Sequence, residues 1–259
     1  MKVVILSGGI GYRLKEETEF KPKPMVYIGV KPIIWHIMKI YAHFGYKEFI
    51  VALGYKGDYI KDYFLNQKYL IHDFTLDTKT GKTKIHEDKR EGKLIDDFKI
   101  TFVDTGLETQ PGERILCVKD YISDDEDFMV TYGDGLGDIN IQKLVEFHQK
   151  QNTIGTITGV YPTSKYGLVS IDSKNIVKDF VEKPKIDNWV NGGFMVFKNE
   201  FFNYLRKNEL EHPALKRLIR KDQLSLYAHN GFWNSMDTYK DVQDLNKMWI
   251  EDPKWKIWD

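Results

Sequence analysis

The sequence predicts an α/β fold: a mixed, mostly parallel sheet flanked by helices, with an inserted β-hairpin and a β-rich second half. Three observations predict it. Short apolar runs alternate with amphipathic helical stretches through the first 65 residues, a polar hairpin pattern follows near residue 80, and extended segments crowd together beyond about residue 153.

Residues 3–6 form an unbroken apolar run closed by Ser7-Gly8-Gly9, the pattern of a strand buried on both faces. Pro32 opens a helix in which Ile33, Ile34, Ile37, Met38, Tyr41 and Phe44 recur at helical spacing, and Gly45 ends it. Residues 49–53 repeat the strand pattern and 59–65 the helical one, which implies parallel strands with helices on their faces. Phe74-Thr75-Leu76, Thr80-Gly81 and Thr83-Lys84-Ile85 then read as a polar hairpin within 74–87. A core strand is expected at 100–103, a helix at 112–122, a buried strand at 128–132 running into Gly133-Asp134-Gly135, and a helix at 141–149. Strands follow at 154–160, 168–172, 176–181 and 192–197, and helices near 199–206, 213–221 and 238–249. No flexible linker, repeat or low-complexity tract divides the chain, so 1–259 is read as one domain.

Composition narrows the function. A hydrophobic fraction of 42% over 259 residues supports a sizeable core. Lys+Arg and Asp+Glu are 38 each, and this zero net charge argues against a nucleic-acid partner while leaving room for a local basic pocket. One cysteine, Cys117, excludes an intramolecular disulfide and a multi-cysteine metal site; its apolar neighbours suggest a small buried side chain. No stretch approaches the roughly 20 apolar residues of a membrane span, and the initial apolar run is too short for a signal segment, so no membrane partner and a cytoplasmic location are expected. His36 reads as a packed core histidine, and the other histidines lack metal spacing. The acidic run at 124–127 reads as a solvated turn. Trp249, Trp255 and Trp258 are expected to pack on this domain or on a neighbouring subunit.

The first candidate site is Leu6-Ser7-Gly8-Gly9-Ile10-Gly11-Tyr12-Arg13, directly after the first strand. Glycines let a backbone approach phosphate and present successive N–H groups, and Arg13 adds a guanidinium able to bind two phosphate oxygens. It is not a Walker A loop, since no Gly-Lys-Ser/Thr follows. Ten residues on, Lys21-Pro22-Lys23-Pro24-Met25 is a stiff segment expected to hold Lys23 in extended chain.

With Gly8-Gly9-x-Gly11-x-Arg13-Leu14, Lys21-Pro22-Lys23-Pro24-Met25 and Lys31-Pro32-Ile33, the chain resembles the sugar-phosphate nucleotidyltransferases. Within that family it looks most like the cytidylyltransferases that act on glucose 1-phosphate. The likeness runs on through Gly54-Tyr55-Lys56-Gly57, Val103-Asp104-Thr105-Gly106, Thr131-Tyr132-Gly133-Asp134-Gly135, Glu182-Lys183-Pro184, Asn191-Gly192-Gly193-Phe194, Gly231-Phe232-Trp233 and Met236-Asp237-Thr238. The resemblance implies a Rossmann-like fold of the glycosyltransferase-A kind, with 1–135 mainly binding nucleotide and 136–259 mainly the acceptor. It implies a CTP substrate, a phosphorylated small-molecule acceptor, a Mg²⁺ cofactor and a homo-oligomer. Residue by residue, Leu6, Ser7, Gly8, Gly9, Gly11, Tyr12, Arg13, Lys23, Thr109, Arg114 and Gly133 would contact the nucleotide. Asp134 and Asp237 would hold the metal, although two aspartates so far apart make no metal motif by spacing. Tyr166, Gly167, Glu182, Lys183 and Asn191 would bind the acceptor, and Arg13, Lys23 and Lys183 would neutralise charge during transfer.

Some positions depart from the family pattern. Tyr12 stands in place of threonine, and Pro111 and Glu113 alter the loop around Gly112 and Arg114. Lys165-Tyr166-Gly167 replaces Arg-Phe-Gly, which loses a two-pronged donor. At Leu210-Glu211-His212-Pro213 a tryptophan and a glutamate of the usual Trp-Glu-x-Glu-Pro-Leu are missing. Such changes can redirect an acceptor pocket. Open alternatives are therefore the same cytidylyl transfer to another sugar phosphate or to a phosphorylated amide such as phosphoglutamine, transfer from UTP, dTTP or GTP, or a catalytically silent nucleotide-binding regulator.

Overall fold

The computed structural model describes residues 1–86, 96–164 and 166–258. Among these, seven strands build one mixed sheet: β1 (Val3–Ser7), β2 (Glu48–Leu53), β3 (Lys99–Asp104), β4 (Asp127–Tyr132), β5 (Gly155–Val160), β6 (Val190–Lys198) and β7 (Leu224–Ala228). They lie in the order β7-β5-β6-β4-β1-β2-β3. β1 is parallel to β2 and β4, β2 to β3, and β5 to β7, while β6 runs antiparallel between β4 and β5. The mixed, mostly parallel sheet expected from the sequence is present.

Both faces of the sheet are covered, which is why its central strands are continuous apolar runs. Val3, Ile5, Phe49, Val51, Met129, Phe194 and Val196 pack on one face; Val4, Leu6, Ile50, Ala52, Phe128, Val130, Met195 and Phe197 pack on the other. The first face is closed by α1 (Ile33–His43) and α2 (Gly57–Leu65), the second by α3 (Pro111–Cys117); α4 (Ile141–Gln151) adds Ile141, Leu144 and Val145 to the first. Of the last two helices, α5 (Glu211–Ile219) lies on the second face and α6 (Tyr239–Glu251) on the first. His36 is fully buried beside Trp249, Trp255 and Trp258, so this aromatic cluster packs on its own domain.

Several details differ from the sequence reading. The 112–122 helix is α3 followed by a separate 3₁₀ turn, Lys119–Tyr121, and the 199–206 helix is a 3₁₀ segment, Asn199–Tyr204. β7 was not expected, nor was the short antiparallel pair Gly135–Gly137 with Trp233–Ser235. Leu168–Ile171 and Val177–Val181 form a two-stranded ribbon of their own, whereas the strands expected at 154–160 and 192–197 belong to the main sheet as β5 and β6. The inserted hairpin is present as Phe74–Leu76 paired with Thr83–Ile85. Residues 87–95, which follow this hairpin, and Lys165 lie outside the described residues. Cys117 is exposed, contrary to expectation: it ends α3 on the side turned away from the sheet, while Ile115 points inward.

Candidate active site

The strand order reverses at β1. The chain moves outward on one side through β2 and β3, then returns to place β4 on the other side. Ligands of open α/β sheets bind outside the carboxyl ends of the strands at such a switch point. There the loop after β1, the end of β4 and the segment after β3 enclose a cleft of about 570 Å³. Its walls contain Leu6, Ser7, Gly8, Gly9, Gly11, Tyr12, Arg13, Lys23, Thr109, Arg114, Gly133 and Asp134, all nominated from the sequence.

Two glycines of the loop have a demonstrable reason. Gly11 adopts φ +71°, a left-handed conformation that starts the 3₁₀ turn Tyr12–Leu14. A Cβ on Gly8 would sit 2.1 Å from the guanidinium carbon of Arg114. That guanidinium is a buried clamp. Its Nη1 donates to the carbonyls of Leu53 (2.9 Å) and Gly106 (2.8 Å) and to the Thr105 hydroxyl, and its Nη2 donates to the carbonyls of Gly8 (3.1 Å) and Leu107 (3.2 Å). Both terminal nitrogens are thus engaged by the protein. Arg114 reaches the cleft as the tie between the loops after β1, β2 and β3, a role that spacing alone did not suggest. Thr109 donates its hydroxyl to the Thr105 carbonyl and braces the same wall.

Opposite this wall lies the charged centre. Lys23 sits in a 3₁₀ turn, Lys23–Met25, and not in the extended chain expected; only Pro22 before it is extended. The turn aims its ammonium at Asp134 Oδ2 (2.6 Å) and Asp237 Oδ1 (3.0 Å). Burial would lower the Lys23 pKa, but the two carboxylates outweigh it and raise it. For Asp237 burial alone would raise the pKa; Lys23, the Ser235 hydroxyl and Arg13 together hold it below the usual value. Both groups are therefore charged at neutral pH. Arg13 is 80% exposed, with Nη2 3.7 Å from Asp237 Oδ1, so its guanidinium is open to a ligand.

The aspartates meet because the unexpected short β-pair aligns Gly135 with Ser235, and the Met236 amide donates to the Asp134 carbonyl (2.9 Å). Asp237 is further fixed by the Ser235 hydroxyl (2.9 Å), and its amide donates to Asp241 in the capping box that starts α6. Two carboxylates converging on one cation fit a magnesium ion, which is bound through one or two carboxylates with phosphates supplying further oxygens. Among the described residues no group of three or more His, Cys, Asp or Glu side chains could form an all-protein metal cage.

The residues nominated for the acceptor stand apart from this cluster. Tyr166 is 78% exposed, and Glu182 and Lys183 flank the ribbon with largely exposed side chains, 3.8 Å apart. Lys183 has φ +47°, a left-handed conformation in a non-glycine residue, which marks a constrained turn. Gly167 lies against Phe180 and Glu182, and the Asn191 side chain accepts a hydrogen bond from the Gly193 amide (3.0 Å). Asn191 precedes the β6 residues that pair with β4, so it is the acceptor candidate nearest the cleft in the sheet.

The sheet, with its cleft at the switch point, is that of an open α/β enzyme, and the chain belongs to the nucleotidyltransferase family: the Nucleotidyl transferase family model matches residues 2–250. Over the full length of both chains it is 43% identical to a Bacillus subtilis protein described as a probable glucose-1-phosphate cytidylyltransferase. It is 39% identical to the glucose-1-phosphate cytidylyltransferase of Salmonella typhi, again across both chains. A UTP-bound UGPase from Acinetobacter baumannii shares the fold, with a TM-score of 0.69 at 18% identity, covering 98% of this chain and 95% of that one.

Proposed function

We propose that the protein is a Mg²⁺-dependent cytidylyltransferase that converts CTP and glucose 1-phosphate to CDP-glucose and pyrophosphate. The observation that carries the chemistry is the Lys23 ammonium held between Asp134 and Asp237 at the mouth of the glycine loop. The nucleotide and acceptor are those named for the Bacillus and Salmonella relatives.

In this reading an acceptor phosphate oxygen attacks the α-phosphorus in line. A new O–P bond forms as the bond to the bridging oxygen breaks, and the electron pair leaves with pyrophosphate. Such transfer requires positioning and charge neutralisation, with no covalent enzyme intermediate. The amides of Gly8, Gly9 and Gly11 cradle the phosphates, while Arg13 and Lys23 neutralise the α-phosphate and the departing pyrophosphate. Leu6, Ser7, Tyr12, Thr109, Gly133 and the wall tied by Arg114 enclose the nucleoside. Asp134 and Asp237 would hold Mg²⁺, which supplies charge neutralisation on the phosphate oxygens. Lys183 binds the acceptor phosphate, and Tyr166, Gly167, Glu182 and Asn191 bind the rest of the acceptor. The first half thus serves mainly the nucleotide and the second mainly the acceptor, within one domain. We place the enzyme in the cytoplasm as a homo-oligomer; the exposed apolar side chains of Val169, Val177 and Phe180 on the ribbon support assembly.

A second reading keeps the nucleotide half and changes the acceptor to another sugar phosphate or to a phosphorylated amide such as phosphoglutamine. It is favoured by the acceptor wall, where Leu210 and Tyr166 replace larger or differently shaped side chains of the resembling family. Pyrophosphate release with Mg²⁺, tested with CTP, UTP, dTTP, GTP and ATP, each with and without glucose 1-phosphate, separates the readings. Release only with CTP plus glucose 1-phosphate supports the first; CTP binding without release under any pairing moves the assignment to the second.

A further inference from the structure

The two aspartates read as metal ligands already hold a cation of the chain's own. The Lys23 ammonium lies 2.6 Å from Asp134 Oδ2 and 3.0 Å from Asp237 Oδ1, and with its side chain only 14% exposed it fills the space between the carboxylates. Asp237 Oδ2 accepts from the Ser235 hydroxyl at 2.9 Å, which leaves Oδ1 to the cations. Arg13 approaches that same Oδ1 at 3.7 Å. Two carboxylates therefore face two cations, and the cluster carries no net charge. Such a cluster offers a divalent cation no net attraction, and the ammonium beside its oxygens repels one.

The Lys23 stem is anchored against the loop that would hold the phosphates. A Cβ on Gly11 would sit 3.4 Å from Lys23 Cβ and 3.7 Å from Lys23 Cδ, so the stem runs along bare glycine backbone. The turn that carries it is fixed as well. The Met25 amide donates to the Pro22 carbonyl (2.8 Å), the Val26 amide donates to the Lys23 carbonyl (3.1 Å), and Pro24 and Met25 are buried. A Cβ on Gly133 would sit 2.9 Å from Pro24 Cγ, so the residue after β4 braces the turn from the sheet. With turn and stem held, the end of the side chain is what remains free to rotate, between the aspartates and the glycine loop.

We propose that Lys23 gates the metal site: its ammonium holds Asp134 and Asp237 against a divalent cation until a bound triphosphate draws it onto phosphate oxygens. This rests on the reading of Asp134 and Asp237 as the metal ligands. The triphosphate brings enough negative charge for Lys23, Arg13 and the metal together, and Lys23 passes from carboxylate to phosphate by rotating its last bonds. The lysine that neutralises phosphate during transfer thus keeps the metal ligands closed beforehand.

The test uses Mn²⁺ as the metal probe, its free ion counted by electron paramagnetic resonance, with no nucleotide or acceptor present. The wild type is compared with Lys23→Met, which keeps the stem and removes the charge, and with Lys23→Met/Asp134→Asn. Lys23→Met should bind Mn²⁺ at least about tenfold more tightly than the wild type, the scale on which groups bonded to metal ligands change metal affinity. Adding Asp134→Asn should abolish that gain. A second measurement needs only the wild type: acetylation of Lys23, read by mass spectrometry, should rise severalfold when Mn²⁺ saturates the protein, while the other lysines stay unchanged. Equal Mn²⁺ affinity in the wild type and Lys23→Met, or Lys23 labelling that saturation leaves unmoved, would overturn the gate. If Lys23→Met/Asp134→Asn binds Mn²⁺ as tightly as Lys23→Met, the metal reading of the aspartates fails, and the proposal with it. If the double variant loses the metal while the wild type and Lys23→Met bind it alike, only the gate fails.

Discussion

Acidification should unfold this protein from within its core. His36 has no exposed surface; its Nε2 lies 2.9 Å from the Ile28 carbonyl and its Nδ1 3.4 Å from the Trp255 indole nitrogen. The carbonyl can only accept and the indole can only donate, so the ring is neutral, with its proton on Nε2. Burial lowers its pKa from 6.5 to about 4. His148, equally buried and 2.7 Å from the Thr156 hydroxyl, is lowered to about 4 by burial as well. Because the folded pKa lies below the unfolded one, the unfolded chain takes up protons first as pH falls. The stabilisation is complete above pH 6.5 and is lost progressively between 6.5 and about 4. At about 1.4 kcal/mol per unit, each histidine costs roughly 2 kcal/mol at pH 5. Roughly 4 kcal/mol together is a large part of the 5–15 kcal/mol typical of a domain. Urea unfolding of the wild type and of His36→Gln at about pH 8 and pH 5 measures this. The variant should be weaker at the higher pH, yet lose roughly 2 kcal/mol less than the wild type on acidification. Equal losses in the two proteins would refute the assignment of His36 as a neutral, buried titrating group.

Three further outcomes follow from the cleft and from the acceptor candidates beside it. Gly8→Ala forces a Cβ to within 2.1 Å of the Arg114 guanidinium, so it should lower the melting temperature by several degrees and raise the CTP KM at least about tenfold; thermal melts and steady-state kinetics check both. Asp134→Asn and Asp237→Asn should each reduce turnover by at least about a hundredfold, the scale of losing one electrostatic contact to the transition state, while circular dichroism stays native. Lys183→Ala should raise the KM for glucose 1-phosphate and leave CTP affinity, read by calorimetry, within about twofold.

The sheet was legible where burial on both faces wrote unbroken apolar runs, as at Val3–Ser7 and Asp127–Tyr132, and where helices carried one apolar stripe, as at Ile33–His43. β7 was missed because Leu224–Ala228 is an edge strand of partly exposed residues, whose Leu-Ser-Leu-Tyr alternation is short and comes soon after the helix that ends at Ile219. The cleft's position was readable from the glycine loop and from Asp134 at a strand end. The partnership of Asp134 with Asp237 was not, because the three-residue β-pair that joins them has no sequence period of its own. Nor could spacing foresee Arg114 as a buried clamp, since that depends on contacts across the fold. Cys117 was misjudged because apolar neighbours in sequence do not fix which way the last turn of a short helix faces.

The most direct test of the central claim follows the α-phosphorus itself. Wild type, Asp134→Asn and Asp237→Asn are each incubated with CTP carrying ³²P at the α-phosphate, glucose 1-phosphate and Mg²⁺, and the products are separated. The account predicts that the wild type transfers the label into CDP-glucose with one pyrophosphate released per transfer, and that neither variant does so above background. Label that stays in CTP with the wild type, or transfer at wild-type rates by both variants, would contradict it.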